Sequence, residues 1–419
     1  MNALKMRRQL TALFFMQFAV WGAYLTSMGA YLASARLASH IGYFYSIQGL
    51  VSIFMPTFMG IIADRYVRAE RLLGFCHLVS AALMAYVGYV GSSHSVSFVS
   101  LFIPYTLAVA FYMPTLSLSN SVAYSAMQTA AIDKIAVFPK IRIFGTVGFI
   151  VSMWTVDWLG FQTSSAQFYV CAFWGLLLGF YSFTMPACPV AGSNDNTSLS
   201  ERLGLTAFRL FANPRMALFF AFSMLLGMSL QVTNGFANPF IQDFSLVSQY
   251  VSSPFVEHAN MLISLSQLSE TLCILLIPFF MKRYGIKTVM LTSMFAWVLR
   301  FALFGVGYPA WPGIVALVLS MIVYGVAFDF FNISGSLFVD SEVSPSYRSS
   351  AQGLFMLMTN GLGAGLGTIA AQAVVNHFAY SAPEGMPRIE GWHTAWLVFA
   401  LFAAIVGILF ALLFPAKKK

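Results

Sequence analysis

The chain has 419 residues, of which 59% are hydrophobic and only 9% charged, with a formal net charge of +8. Mean hydropathy is +0.78, and a soluble protein of this length could not keep so much apolar surface out of water. A soluble enzyme and a nucleic-acid-binding module are both excluded, and the positive charge has to be read as membrane topology.

A bilayer core of about 30 Å takes roughly 20 apolar residues per helix. In chain order, such runs predict twelve spans at 9–33, 41–63, 72–91, 96–123, 141–160, 166–187, 215–240, 258–281, 287–306, 311–337, 350–377 and 393–414. The first follows Lys5, Arg7 and Arg8, as a signal peptide would. Its apolar run of about 24 residues exceeds the usual 7–15 residue core, so it reads as an uncleaved helix. Threading the spans with the N-terminus inside places 19 of the 22 Lys/Arg on one side. The positive-inside rule then puts both termini in the cytoplasm.

The longest polar stretch, 189–214, lies between spans six and seven and is rich in turn formers. It divides the chain into an N-terminal bundle at 1–188, a cytoplasmic linker at 189–214 and a C-terminal bundle at 215–419. Leu199 to Leu210 has the pattern of a short amphipathic helix on the inner membrane surface. Cys76, Cys171, Cys188 and Cys273 lie in or beside spans without paired spacing, so neither a disulfide framework nor a metal site is expected.

Polar residues inside the spans fall into stripes. In span one Gln17, Trp21 and Tyr24 are spaced i, i+4, i+7; in span five Arg142, Thr146 and Phe149 are spaced the same way. Asp157, near the outer end of span five, reads as solvated. Span seven carries Gln231 and Asn234, and span eight Gln267 and Glu270, each pair at i, i+3. In span ten Tyr324 and Phe328 share a face, with Asn332 and Asp329 turned progressively away.

Each has a plainer explanation: a single amide can be glue between helices, Arg142 can snorkel, and two acids can form a structural pair. Together they favour a site. Glu270 and Asp329 sit mid-span, where an ionised group costs several kcal/mol unless it is paired, wet or protonated. Amides, aromatic rings, two acids and a single clear buried cation (Arg142) suit a neutral ligand with a planar base and hydroxyls better than an anion.

The two halves also echo each other: Asp64-Arg65-Tyr66 aligns with Lys282-Arg283-Tyr284 at an offset of 218 residues. Two parallel six-helix halves are a transporter plan with the substrate site near the midplane. Gly60, Asp64 and Arg65, with Arg68 and Arg71, resemble the loop signature of the major facilitator superfamily. The fold class expected is an all-α membrane protein, twelve transmembrane helices in two pseudo-symmetric six-helix bundles.

Within that superfamily the chain resembles the nucleoside:proton symporters, the bacterial nucleoside and xanthosine permease group. The likeness runs nearly end to end. It is carried by QFAVWGAYLTSMGAYL (17–32), FPKIRIFGTVGF (138–149), SMLLGMSLQVTN (223–234), SLSQLSE (264–270) and SMIVYGVAFDFFNISGSLFV (320–339). The resemblance implies nucleoside binding by Arg142, Thr146, Phe149, Gln231, Asn234, Gln267, Glu270, Tyr324, Phe328 and Asp329. It also implies proton coupling by Glu270 and Asp329, and conformational gating by Gly60, Asp64 and Arg65. The family often has two prolines before the span-five motif, whereas here Pro139 is followed by Lys140; the outer loops 240–257 and 378–393 diverge as well.

The expected partners are a nucleoside, a proton and the lipid bilayer of a bacterial inner membrane. No cofactor beyond the coupling proton, no metal, no nucleic acid and no obligate protein partner is expected. Three other readings stay open. The cargo could be another neutral polar solute, xanthosine-like or sugar-like. Asp329 with Asn332, Ser334 or Ser336 offers oxygen ligands for Na⁺ in place of the proton. An intramembrane enzyme using the two acids lacks any nucleophile motif or histidine cluster.

Overall fold

The computed structural model describes residues 3–93, 95–189, 205–343 and 348–414. They form helices and connecting turns, with no strand among them. The first span is α1 (Ala3–Gly22) and α2 (Met28–Ser34); α3 (Ile41–Arg65), α4 (Ala69–Gly91), α5 (Phe98–Thr129), α6 (Lys134–Trp158) and α7 (Ala166–Ser182) follow. After a 3₁₀ helix at Leu205–Ala212 come α8 (Pro214–Asp243), α9 (Ala259–Val306) and α10 (Gly313–Glu342). The eleventh span runs α11 (Arg348–Met356), a π-helical stretch (Leu357–Gly363), α12 (Ala364–Val375) and a second π-helical stretch (Asn376–Tyr380). The last is α13 (Met386–Leu413).

Counting α1 with α2 as one rod, α9 as two and 348–380 as one gives twelve rods among the described residues. Among the described residues, eight helices are long and apolar enough to cross a membrane. One of them, α9, supplies both the eighth and the ninth span. Its break is Gly285, whose φ of +78° is a conformation that side-chain-bearing residues avoid and glycine adopts freely.

Other boundaries follow capping chemistry. Ser97 accepts the Ser100 N–H at 3.2 Å to start α5, and Asn213 accepts the Arg215 N–H at 3.0 Å to start α8, with Pro214 at the first helical position.

Three expectations need correction or restriction. The first span is broken at 23–27 instead of continuous, its backbone closing i→i−3 bonds such as Tyr24 N–H to Trp21 O. Asp157 is buried, 3% exposed, and not solvated. The expected amphipathic helix at 199–210 lies partly outside the described residues, and the described remainder is 3₁₀.

By internal contacts the chain forms two units, Met1–His40 with Leu50–Thr197, and Ile41–Gly49 with Ser198–Lys419. The first unit is held by an apolar cluster that includes Leu13, Phe14, Leu73, Val122 and Leu178. A polar chain is also sealed inside it. Gln17 donates to Thr115 Oγ1 at 2.8 Å, its carbonyl side-chain oxygen meets His77 Nε2 at 2.9 Å, and Tyr112 donates to the Gln17 backbone oxygen at 2.9 Å. Gln17, His77 and Thr115 are all fully buried. Gln17→Leu strands the imidazole and removes the donor to the Thr115 hydroxyl, which keeps its own bond to Tyr112 O. The expected cost is about 1 kcal/mol or more, read as a lower thermal unfolding midpoint in detergent.

The second unit packs around aromatic rings. Phe219 contacts Phe338 at 4.7 Å and Phe355 at 5.5 Å between ring centroids, and Phe304 stacks on Trp396 at 4.5 Å. At one end of α8 and α10, Arg215 donates to both Glu342 carboxylate oxygens at 3.2 Å. Both bonds come from the one nitrogen Nη1, and this ion pair links the two helix ends.

Candidate functional site

The predicted site residues divide between the units. In the first unit, α6 presents Arg142 and Thr146, both half-buried, and Phe149, buried. The Arg142 guanidinium carbon lies 3.9 Å from the centre of the Phe18 ring on α1, a cation–π contact. Gly60 has open space where a Cβ would stand, and Arg65 is the last residue of α3. The side chain of Asp64 lies outside the described residues.

In the second unit, seven predicted residues come from three helices. On α8, Asn234 Nδ2 donates to Gln231 Oε1 at 2.8 Å, so the two amides act as one polar group. On α9, Gln267 and Glu270 are half-buried. On α10, the Tyr324 and Phe328 rings stack with centroids 5.6 Å apart and planes 3° apart, as their i, i+4 spacing requires. Asp329, only 5% exposed, has a carboxylate oxygen, Oδ2, with no hydrogen-bond partner.

The two acids are brought within reach of each other's charge across α9 and α10. The approach depends on Gly325. A Cβ there would stand 2.5 Å from Ser269 O and 2.6 Å from Ser269 C, one residue before Glu270. Ser269 in turn donates from its hydroxyl to Ile322 O, and Ser293 donates to Ala327 O at 2.5 Å, which ties both arms of α9 to α10.

Beside Phe328 a small cavity opens, lined by Leu226, Trp297, Phe331, Asn332 and Thr359 among others. The stacked rings, the Asn332 amide in the cavity wall and the buried Asp329 can together stack a planar base, hydrogen-bond its edge, and hold or release a proton. Of the oxygen set considered for Na⁺, Ser334 donates its hydroxyl proton to Phe330 O and Ser336 to Gln352 Oε1 at 3.0 Å, which leaves the lone pairs of both hydroxyl oxygens available.

One group was missed by sequence reasoning. The expectation of Arg142 as the single clear buried cation is wrong, because Arg300 is the more deeply buried, at 2% exposure. Its signal was present in the spacing: Trp297, Arg300 and Phe304 fall at i, i+3, i+7 on one face of α9, and both Trp297 and Arg300 contact the Tyr324 ring.

Comparison with known proteins gives a consistent result. A family model described as nucleoside H⁺ symporter matches residues 4–419. The xanthosine permease of Escherichia coli (strain K12) is 47% identical over 404 residues, covering 96% of this chain and 94% of that protein. The nucleoside permease NupG of the same organism is 44% identical over 416 residues, covering 99% and 97%. A crystal structure of the nucleoside transporter NupG superposes with a TM-score of 0.89, covering 98% of this chain and 100% of that one. A bacterial homologue of the lysosomal transporter Spinster, 14% identical with a TM-score of 0.69, shares the fold alone.

Proposed function

The chain belongs to the nucleoside H⁺ symporter family, and we propose that it imports nucleosides with protons across a bacterial inner membrane by alternating access, both termini facing the cytoplasm. The fold is the major facilitator fold, and the protein is a transporter, not an enzyme. The observation that carries the site assignment is the stacked Tyr324–Phe328 pair beside two acids, one of them with an unpartnered buried oxygen.

The base of the nucleoside lies on the Phe328 ring, which Tyr324 backs, and Gln231, Asn234 and Gln267 hold base edges and ribose hydroxyls. In the first unit, the resemblance to the family assigns Arg142, Thr146 and Phe149 to nucleoside binding. Glu270 and Asp329 load the proton. An ionised carboxylate resists enclosure in a low-dielectric cavity, whereas the protonated acid does not, so proton loading permits occlusion and the change of face. Release toward the more alkaline, negatively charged interior resets the carrier. Gly60, Asp64 and Arg65 bias the equilibrium between the two faces without touching substrate.

The test is uptake of radiolabelled uridine and adenosine by proteoliposomes. An inward proton gradient should drive accumulation of at least one of them, and a sodium gradient alone should not. Absence of uptake of any nucleoside by folded protein would overturn the assignment. Phe328→Ala removes one stacking face, worth about 1–3 kcal/mol per base. It should raise KM roughly 5- to 150-fold, read from initial rates against substrate concentration.

A further inference from the structure

Arg300 is an anomaly in the second unit. It lies in the apolar ninth span at 2% exposure, and no carboxylate comes within ion-pair distance of it among the described residues. Its Nη1 donates to the Ser320 backbone oxygen at 2.6 Å and to Ser266 Oγ at 3.4 Å; Nε has no partner. Its remaining neighbours are aromatic faces: the guanidinium carbon is 4.5 Å from the Tyr324 ring centre and 5.4 Å from that of Phe304.

A buried cation without an anion is costly. Bonding one backbone oxygen does not require a charge, since an amide could do it. What the charge does gain is the Tyr324 ring, because a cation–π contact strengthens as water is removed.

Tyr324 is held from several sides. Arg300 lies over it, Trp297 meets it edge-on at 6.0 Å and 89°, and Phe328 stacks on it. Ser320, which Arg300 grips, is one helical turn before Tyr324 on α10. The ring is therefore fixed, yet its hydroxyl makes no hydrogen bond to any described residue. A fixed phenol with a free hydroxyl, within reach of the charges of Glu270 and Asp329, is poised to meet a ligand.

Resting on the proposed nucleoside site, we infer that Arg300 is a positioning residue for substrate, which sets affinity by orienting the Tyr324 hydroxyl and carries neither substrate nor proton itself. The guanidinium also withdraws electron density from the ring, which makes the hydroxyl a stronger donor to a base or ribose oxygen.

The experiment is a double-mutant cycle on uridine transport in proteoliposomes, with Arg300→Gln, Arg300→Lys, Tyr324→Phe and the combined variants, each checked for folding by gel filtration. Arg300→Gln should raise KM tenfold or more with maximal rate within about threefold of wild type, and Arg300→Lys, which keeps the cation, should recover part of that loss. On the Tyr324→Phe background either Arg300 change should have little further effect on KM, because the group it orients is gone. A KM within twofold of wild type for Arg300→Gln, or effects that multiply with Tyr324→Phe, would overturn the inference. If Arg300→Gln does not fold, the lysine variant decides: a raised KM that vanishes on the Tyr324→Phe background supports it, and an unchanged or multiplying KM overturns it. Failure of wild type to transport uridine and adenosine would instead strike the proposed function.

Discussion

Asp329→Asn should abolish gradient-driven accumulation of nucleoside while leaving downhill exchange intact. Asparagine has the shape of the protonated acid but cannot release a proton, so the loaded form still occludes and turns over, and the proton gradient no longer acts on it. The effect is large because the driving force is large. One proton entering through 100 mV supplies about 2.3 kcal/mol, or roughly 50-fold accumulation of a neutral solute. The variant should fall to an inside-to-outside ratio near one. Asp329 is the first choice because its Oδ2 is buried and lacks a hydrogen-bond partner. Glu270→Gln is the companion variant. If Asp329→Asn accumulates nucleoside as wild type does and Glu270→Gln does not, the coupling acid is Glu270.

The second large effect is expected at Gly325→Val. The backbone of Ser269 stands within 2.6 Å of where its Cβ would be, and backbone cannot rotate aside. The added side chain must push α9 away from α10. Overpacking of this kind costs about 1–3 kcal/mol, and here the displaced segment is the one that carries Glu270 toward Asp329 and Tyr324. Uptake per folded molecule should drop tenfold or more. Gly353→Val is the control, since nothing lies within 4 Å of its Cβ, and its uptake should stay near wild type. Normal uptake by Gly325→Val would show that the close approach of the two helices is dispensable.

Hydropathy made the span count legible because each rod needs its own apolar run. The breaks inside the rods were hidden from it. Residues 23–27 and the π-helical stretch at Leu357–Gly363 fall inside predicted apolar runs, and backbone geometry leaves no mark on composition. The turn between spans eight and nine is expected at 282–286 (KRYGI), but helix continues through it except at Gly285. Its basic residues can lie along the rod and reach water without ending it.

Within the site, pairs on one helix were legible from spacing alone. Tyr324 with Phe328 and Gln231 with Asn234 meet as expected. Contacts between helices were not, because they depend on which faces meet. The nearness of Glu270 and Asp329 rests on a glycine crossing, and the role of Arg300 rests on α10 lying beside its face of α9. A single arginine six residues from the end of a span looks like an ordinary interfacial anchor. Only its burial against Tyr324 distinguishes it.

The most direct test of the central claim, that a proton moves with the nucleoside, is to follow lumenal pH. Proteoliposomes holding a trapped pH-sensitive dye, with no imposed gradient, receive uridine outside. Inward flux of uridine should acidify the lumen in proportion to the nucleoside taken up, with or without sodium, and Asp329→Asn should lose the acidification. Entry of uridine with no change in lumenal pH, or only when sodium is present, would contradict proton coupling.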